Sequence, residues 1–65
     1  MIFKIKPESQ VGTYRRFGRT GPVYEVKAFL REEASGDALM RIVIPSTGEE
    51  LDYPLSQILE DPKET

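Results

Sequence analysis

Turn signals recur along this chain at short, even intervals: Pro7-Glu8-Ser9, Gly18-Arg19-Thr20-Gly21-Pro22, Ala34-Ser35-Gly36-Asp37 and Pro45-Ser46-Thr47-Gly48. The segments between them are rich in β-branched and aromatic residues, the pattern of short strands joined by hairpins. Residues 2–6 read as a first strand and residues 11–17 as a second, weakly alternating one. Residues 23–31 are the clearest, with Tyr24, Val26, Ala28 and Leu30 on one face and Glu25, Lys27 and Arg31 on the other. Residues 38–44 and 49–53 complete an expected set of about five antiparallel strands.

The period changes in DYPLSQILEDP, where Leu55, Ile58 and Leu59 fall at helical spacing. Pro54 suits a first helical position, with Asp52 or Tyr53 just ahead of it, and Asp61-Pro62 ends the turn. One or two helical turns should pack Leu55, Ile58 and Leu59 over one end of the sheet. Residues 1–61 then form a single domain and residues 62–65 a frayed tail.

Sixty-five residues bury a core that rarely nets more than about 3–5 kcal/mol, so small domains often add a disulfide or a metal. This chain has no cysteine and no histidine, which removes disulfides, zinc-finger spacings and Cys- or His-based catalysis. A well-packed core, or oligomerisation, must hold the fold, and Val26, Leu30, Met40, Ile42 and Leu59 are the residues expected to be fully buried. MIFKIKPESQ carries lysines among its apolar residues, unlike a signal peptide, and no run approaches a membrane span. A cytoplasmic protein without membrane contact is the expectation.

The segment YEV, then MRIVI, then TGEEL resembles the central meander of Tudor-like and other SH3-like modules. The fold expected is therefore all-β, a small SH3-like barrel of about five antiparallel strands with a C-terminal helical turn. The strings RRFGRTGPVYEV and TGEELDYPLSQILEDP are similar to those of an uncharacterised family of short bacterial proteins with an RRFG–GP–YEV segment and a TGEELDYPL segment. That resemblance implies a bacterial, stand-alone small protein. It brings no activity, substrate or binding residue with it.

The formal net charge is −2, but its distribution is uneven: residues 1–31 hold seven bases and two acids, residues 32–65 two bases and nine acids. Such asymmetry marks either an interaction surface of one sign or strands that neutralise each other across a sheet. The hexapeptide YRRFGR concentrates the positive end. On a strand, Arg15 and Phe17 share one face while Tyr14 and Arg16 share the other, so one aromatic enters the core. Tyr14, Arg16, Arg19 and Lys27 are the residues that would line a stacking, basic groove for single-stranded nucleic acid. The acidic second half opposes that use, because its field repels phosphate.

ALMRIVI is apolar on both faces: Ala38, Met40, Ile42 and Ile44 on one, Leu39 and Val43 on the other, with Phe29 added from the neighbouring strand. A strand of this kind asks for cover on both sides. The terminal helical turn or residues 2–6 would supply it, or else a partner protein or a second copy in a homodimer.

Catalysis is not expected. Glu49, Glu50 and Asp52 are the nearest approach to a carboxylate cluster, but Glu50 and Asp52 share a strand face that points to solvent. The glycines match neither a P-loop nor a dinucleotide fingerprint. No cofactor and no metal are expected. The function anticipated is a non-enzymatic protein-interaction or regulatory accessory module, with Tyr14, Arg15, Arg16, Arg19, Phe29, Leu39 and Val43 as candidate contacts. The alternative is a nucleic-acid-binding barrel using residues 14–19.

Overall fold

The computed structural model describes residues 6–64. A 3-10 turn, Pro7–Gln10, leads into β1 (Tyr14–Arg16), β2 (Val23–Glu32), β3 (Ala38–Ile44), β4 (Glu49–Pro54) and a short helix α1 (Leu55–Glu60). The four strands form one open antiparallel sheet in chain order, β1-β2-β3-β4. The expected all-β class and C-terminal helical turn are present; five strands closed as a barrel are not what the described residues form. Of the proposed first strand, residues 2–5 lie outside the described residues, and Lys6 precedes the 3-10 turn.

The second expected strand, residues 11–17, is cut to Tyr14–Arg16. Its first half turns instead: Val11 N–H closes the 3-10 turn onto Glu8 O at 3.2 Å, and Gly12 adopts φ 90, which a side chain resists. At its other end the link to β2 is tight. Gly21 N–H donates to Phe17 O at 2.9 Å, and a Cβ on Gly21 would lie 2.3 Å from that oxygen, so only glycine fits there.

β3 alternates in burial although its sequence is apolar on both faces. Ala38, Met40, Ile42 and Ile44 are buried, while Leu39, Arg41 and Val43 are half-buried on the opposite, outer face. β2 departs from simple alternation. Its register against β3 runs Glu25↔Val43 and Val26↔Ile42, then Ala28↔Arg41 and Phe29↔Met40, then Arg31↔Leu39 and Glu32↔Ala38. One extra β2 residue is inserted at each of two shifts, between Val26 and Ala28 and between Phe29 and Arg31. These bulges bend the strand and reverse which residues face inward. Phe29, expected beside Leu39 and Val43, therefore faces the core opposite Met40. Leu30, expected in the core, is only half-buried.

The core consists of Tyr24, Val26, Ala38, Met40, Ile42, Ile44, Leu55 and Ile58, with Phe17, Phe29, Tyr53 and Leu59 packed around it. Val26, Met40 and Ile42 are fully buried as expected, but the helix contributes Leu55 and Ile58, and Leu59 stays half-buried. Helical spacing identifies the apolar stripe without fixing which of its residues sits deepest.

Pro54 stands one position outside the expected place: it is the extended N-cap residue, and Leu55 begins the helix. Lacking a side-chain cap of its own, α1 takes one from the β2–β3 loop. Asp37 Oδ1 accepts the Ser56 backbone N–H at 3.1 Å and the Ala38 N–H at 2.8 Å, while Oδ2 accepts the Ser56 hydroxyl at 2.5 Å. Burial works to raise the Asp37 pKa, but the bonds from the Ser56 hydroxyl and from the Ala38 and Ser56 N–H groups outweigh it and hold the carboxyl below its ordinary value.

The chain end pairs with β1 as far as Glu64. Arg16 N–H donates to Pro62 O at 3.1 Å and Glu64 N–H to Tyr14 O at 3.0 Å, making an antiparallel bridge of Arg15 with Lys63. β1 thus has an occupied edge on both sides, because α1 delivers the chain end back to it.

Candidate functional site

On β1, parity decides which residues of YRRFGR meet solvent. Arg15 lies opposite Tyr24, a core residue, so its side chain turns inward and is only 5% exposed. There Nη1 donates to the backbone carbonyl of Asp61 at 2.8 Å and Nη2 to Gln10 Oε1 at 3.2 Å. Arg15 is therefore not an accessible contact, contrary to expectation. Those two bonds offset part of the cost of withdrawing the guanidinium from water, while its Nε is buried without a hydrogen-bond partner.

The carboxylate of Asp61, whose backbone carbonyl Arg15 binds, is also buried, the residue being 7% exposed. Its Oδ2 accepts the hydroxyls of Tyr24 at 2.8 Å and Tyr53 at 3.2 Å, and its Oδ1 accepts the Gly18 N–H at 3.2 Å. Phe17, Tyr24 and Tyr53 pack as an aromatic trio, with centroids 4.5, 5.2 and 5.5 Å apart. Burial, then the Asp61 hydrogen bond and negative charge, push the Tyr24 phenol far above its ordinary value. Burial and the same carboxylate also raise Tyr53. Both hydroxyls remain donors across the ordinary pH range. The cluster fastens the end of α1 to the sheet.

The outer face has a different character. Cross-strand partners share a face, so Tyr14↔Glu25, Glu25↔Val43 and Val43↔Glu50 align in one row across four strands. The bridge of Arg15 with Lys63 places Glu64 opposite Tyr14 at the end of that row. Tyr14 is 43% exposed. The next row is Ala28, Arg41 and Asp52, and the one after it Arg31, Leu39 and Pro54. Arg41 separates Leu39 from Val43 along β3, so these two do not merge into one apolar patch.

Most arginines of this face are occupied. Arg41 Nε lies 2.8 Å from Asp52 Oδ1 and its Nη1 3.2 Å from Glu50 Oε1. Those bonds, Asp52 first, raise its pKa further. Glu50 and Asp52 do share the solvent face, as their spacing requires. Arg16 donates through Nη1 to Gly21 O at 3.0 Å and pairs through Nε with Glu64 Oε1 at 3.2 Å. Arg19, exposed in the β1–β2 turn, and Lys27, exposed at the first β2 bulge, form no ion pair among the described residues.

Among the seven expected contact residues, then, Tyr14, Arg16, Leu39 and Val43 lie on the outer face, Arg19 lies in the adjoining turn, and Arg15 and Phe29 face inward. Two residues of consequence were not singled out by sequence. Asp61 is legible only as a helix terminator, although Arg15 shares parity with the core-bound Phe17. Glu25 reads as an ordinary solvent-facing strand residue.

Over residues 3–65 the sequence matches the family described as DUF5397, a family of unknown function. The chain belongs to that family. No curated protein matches it. Among the described residues no helix is long and apolar enough to cross a membrane, and no three carboxylates converge as a metal site.

Proposed function

We propose that this member of DUF5397 is a non-enzymatic, cytoplasmic protein-interaction module that works through the outer face of its sheet. The observation that carries this is the row containing Tyr14, Glu25, Val43 and Glu50, in which an exposed aromatic stands beside carboxylates and a half-buried apolar side chain. A single-stranded nucleic-acid groove needs instead a continuous positive strip beside the aromatic. Here Arg15 is withdrawn into the core, Arg16 is engaged by Glu64 and Gly21, and carboxylates flank Tyr14. Interfaces favour tyrosine at their centre with satisfied charges around it, which fits a protein partner. With α1 returning the chain end to the outer edge of β1, we also favour an SH3-like arrangement, in which residues 62–64 supply the fifth strand.

The test is a titration of single-stranded and duplex oligonucleotides at physiological salt, with Arg16→Ala and Arg19→Ala as comparison proteins. The expected result is weak binding that declines steeply with added salt, as counterion release requires. Sub-micromolar binding abolished by either substitution would overturn the protein-partner assignment in favour of nucleic acid.

A further inference from the structure

Tyr14 is among the large apolar side chains left exposed, and both of its cross-strand neighbours are carboxylates: Glu25 on β2 and, through the Arg15–Lys63 bridge, Glu64 on the chain end. Paired residues on adjacent strands stand about 5 Å apart, so either carboxyl group reaches the margin of the Tyr14 ring. The two acids are not equivalent. Glu64 is committed to Arg16, whereas Glu25 forms no ion pair among the described residues. Beyond Glu25 the row continues with half-buried Val43 and then with Glu50, which is held by Arg41.

We propose that this row receives a lysine- or arginine-bearing segment of the protein partner, with one cationic side chain seated against the Tyr14 ring and paired with Glu25. The proposal rests on the protein-interaction function above and specifies the partner's chemistry. An aromatic face and a carboxylate side by side attract the same group: the ring through its quadrupole, the carboxylate through its charge. An acidic or phosphate-bearing ligand meets repulsion from Glu25 and Glu50 at the same place. Val43, between them, supplies apolar contact for the aliphatic stem of the lysine or arginine. The row crosses four strands, about 14 Å from Tyr14 to Glu50, so it accommodates an extended segment of several residues.

The full chain, isotopically labelled for amide NMR, is titrated with three eight-residue peptides that alternate glycine with lysine, with glutamine or with glutamate, and separately with a single-stranded oligonucleotide. The lysine peptide should shift the amides of Tyr14, Glu25, Val43 and Glu50. Its affinity should fall about threefold in Tyr14→Leu and again in Glu25→Gln, while Glu60→Gln on the helix leaves it unchanged. A lysine peptide that does not bind, or whose affinity falls equally in Glu60→Gln, overturns the proposal. Binding of the glutamine or glutamate peptide at these amides in preference to lysine overturns the cationic chemistry alone and leaves a protein partner in place. Sub-micromolar oligonucleotide binding at physiological salt, with shifts at the same amides, overturns both.

Discussion

Arg15 donates a hydrogen bond through Nη1 to the backbone carbonyl of Asp61 at 2.8 Å, joining the first strand to the end of the helix across 46 positions of sequence. Around it, the Asp61 carboxylate gathers Tyr24, Tyr53 and Gly18. In a domain without disulfides, this latch ties the two ends of the described chain together. It also turns the second residue of YRRFGR into an internal support, leaving Tyr14 and Arg16 to face outward.

The latch is asymmetric. Asp61→Ala leaves two phenols and an amide without their acceptor in a largely buried site, and should cost about 2–4 kcal/mol. Arg15→Met removes a buried charge but leaves every bond to the Asp61 carboxylate in place, and should cost less than half as much. Urea unfolding of the two proteins measures the difference. Equal losses would show that the arginine, not the carboxylate, organises the cluster.

Alkali should unfold the protein by way of the tyrosines. Free phenols ionise near pH 10, and Tyr24 and Tyr53 are both raised above that in the fold. Their neutral forms are thus favoured by folding. This stabilisation is complete below about pH 10 and declines as pH rises towards the folded values. Tyr24→Phe should lower stability at neutral pH by about 1 kcal/mol and flatten its decline above pH 10. An unchanged alkaline slope in Tyr24→Phe would contradict the assignment.

The helix should show the opposite dependence. Asp37 is held below the ordinary carboxyl value of 3.8, so its contribution is complete above that value and is lost as pH falls through the lower folded one. Asp37→Ala should cost about 1 kcal/mol at neutral pH, the usual worth of a helix cap, and should weaken the acid dependence. The check is unfolding of both proteins between pH 2 and pH 7; parallel curves would refute the clamp.

Two neighbours on β3 separate the faces. Ile42 is fully buried and Val43 only half-buried. Ile42→Ala should cost about 2–5 kcal/mol, most of the stability available to so small a domain, and Val43→Ala under about 1 kcal/mol. A reversed order in denaturant midpoints would mean that the wrong face has been assigned to the core.

These contrasts also show how far the sequence was legible. β3 was readable to the residue because turn clusters bound an unbroken apolar, β-branched run on both sides. β2 was readable in extent, but the inward phase beyond Val26 was not. A bulge depends on how the partner strand bends, and nothing in VKAFLRE marks where the extra residues fall. The helix was visible in the spacing of Leu55, Ile58 and Leu59, whereas its cap was not, since Asp37 is remote in sequence. The outer row could be assembled only once the register was known: the parity of Tyr14 and Arg16 was evident, but Glu25 beside Tyr14 is a property of strand pairing. The pairing of residues 62–64 with β1 rests on two backbone bonds and one exposed ion pair, which leave no mark in composition.

The proposed protein partner occupies the outer face of the sheet, where crosslinking can detect it directly. A photoactivatable phenylalanine analogue at position 14 or 43, with position 46 in the β3–β4 turn as reference, tests this in the native cell. One and the same protein, identified by mass spectrometry, should be captured from positions 14 and 43 and not from 46. Capture of unrelated proteins at all three positions, or of nucleic acid from position 14, would contradict it.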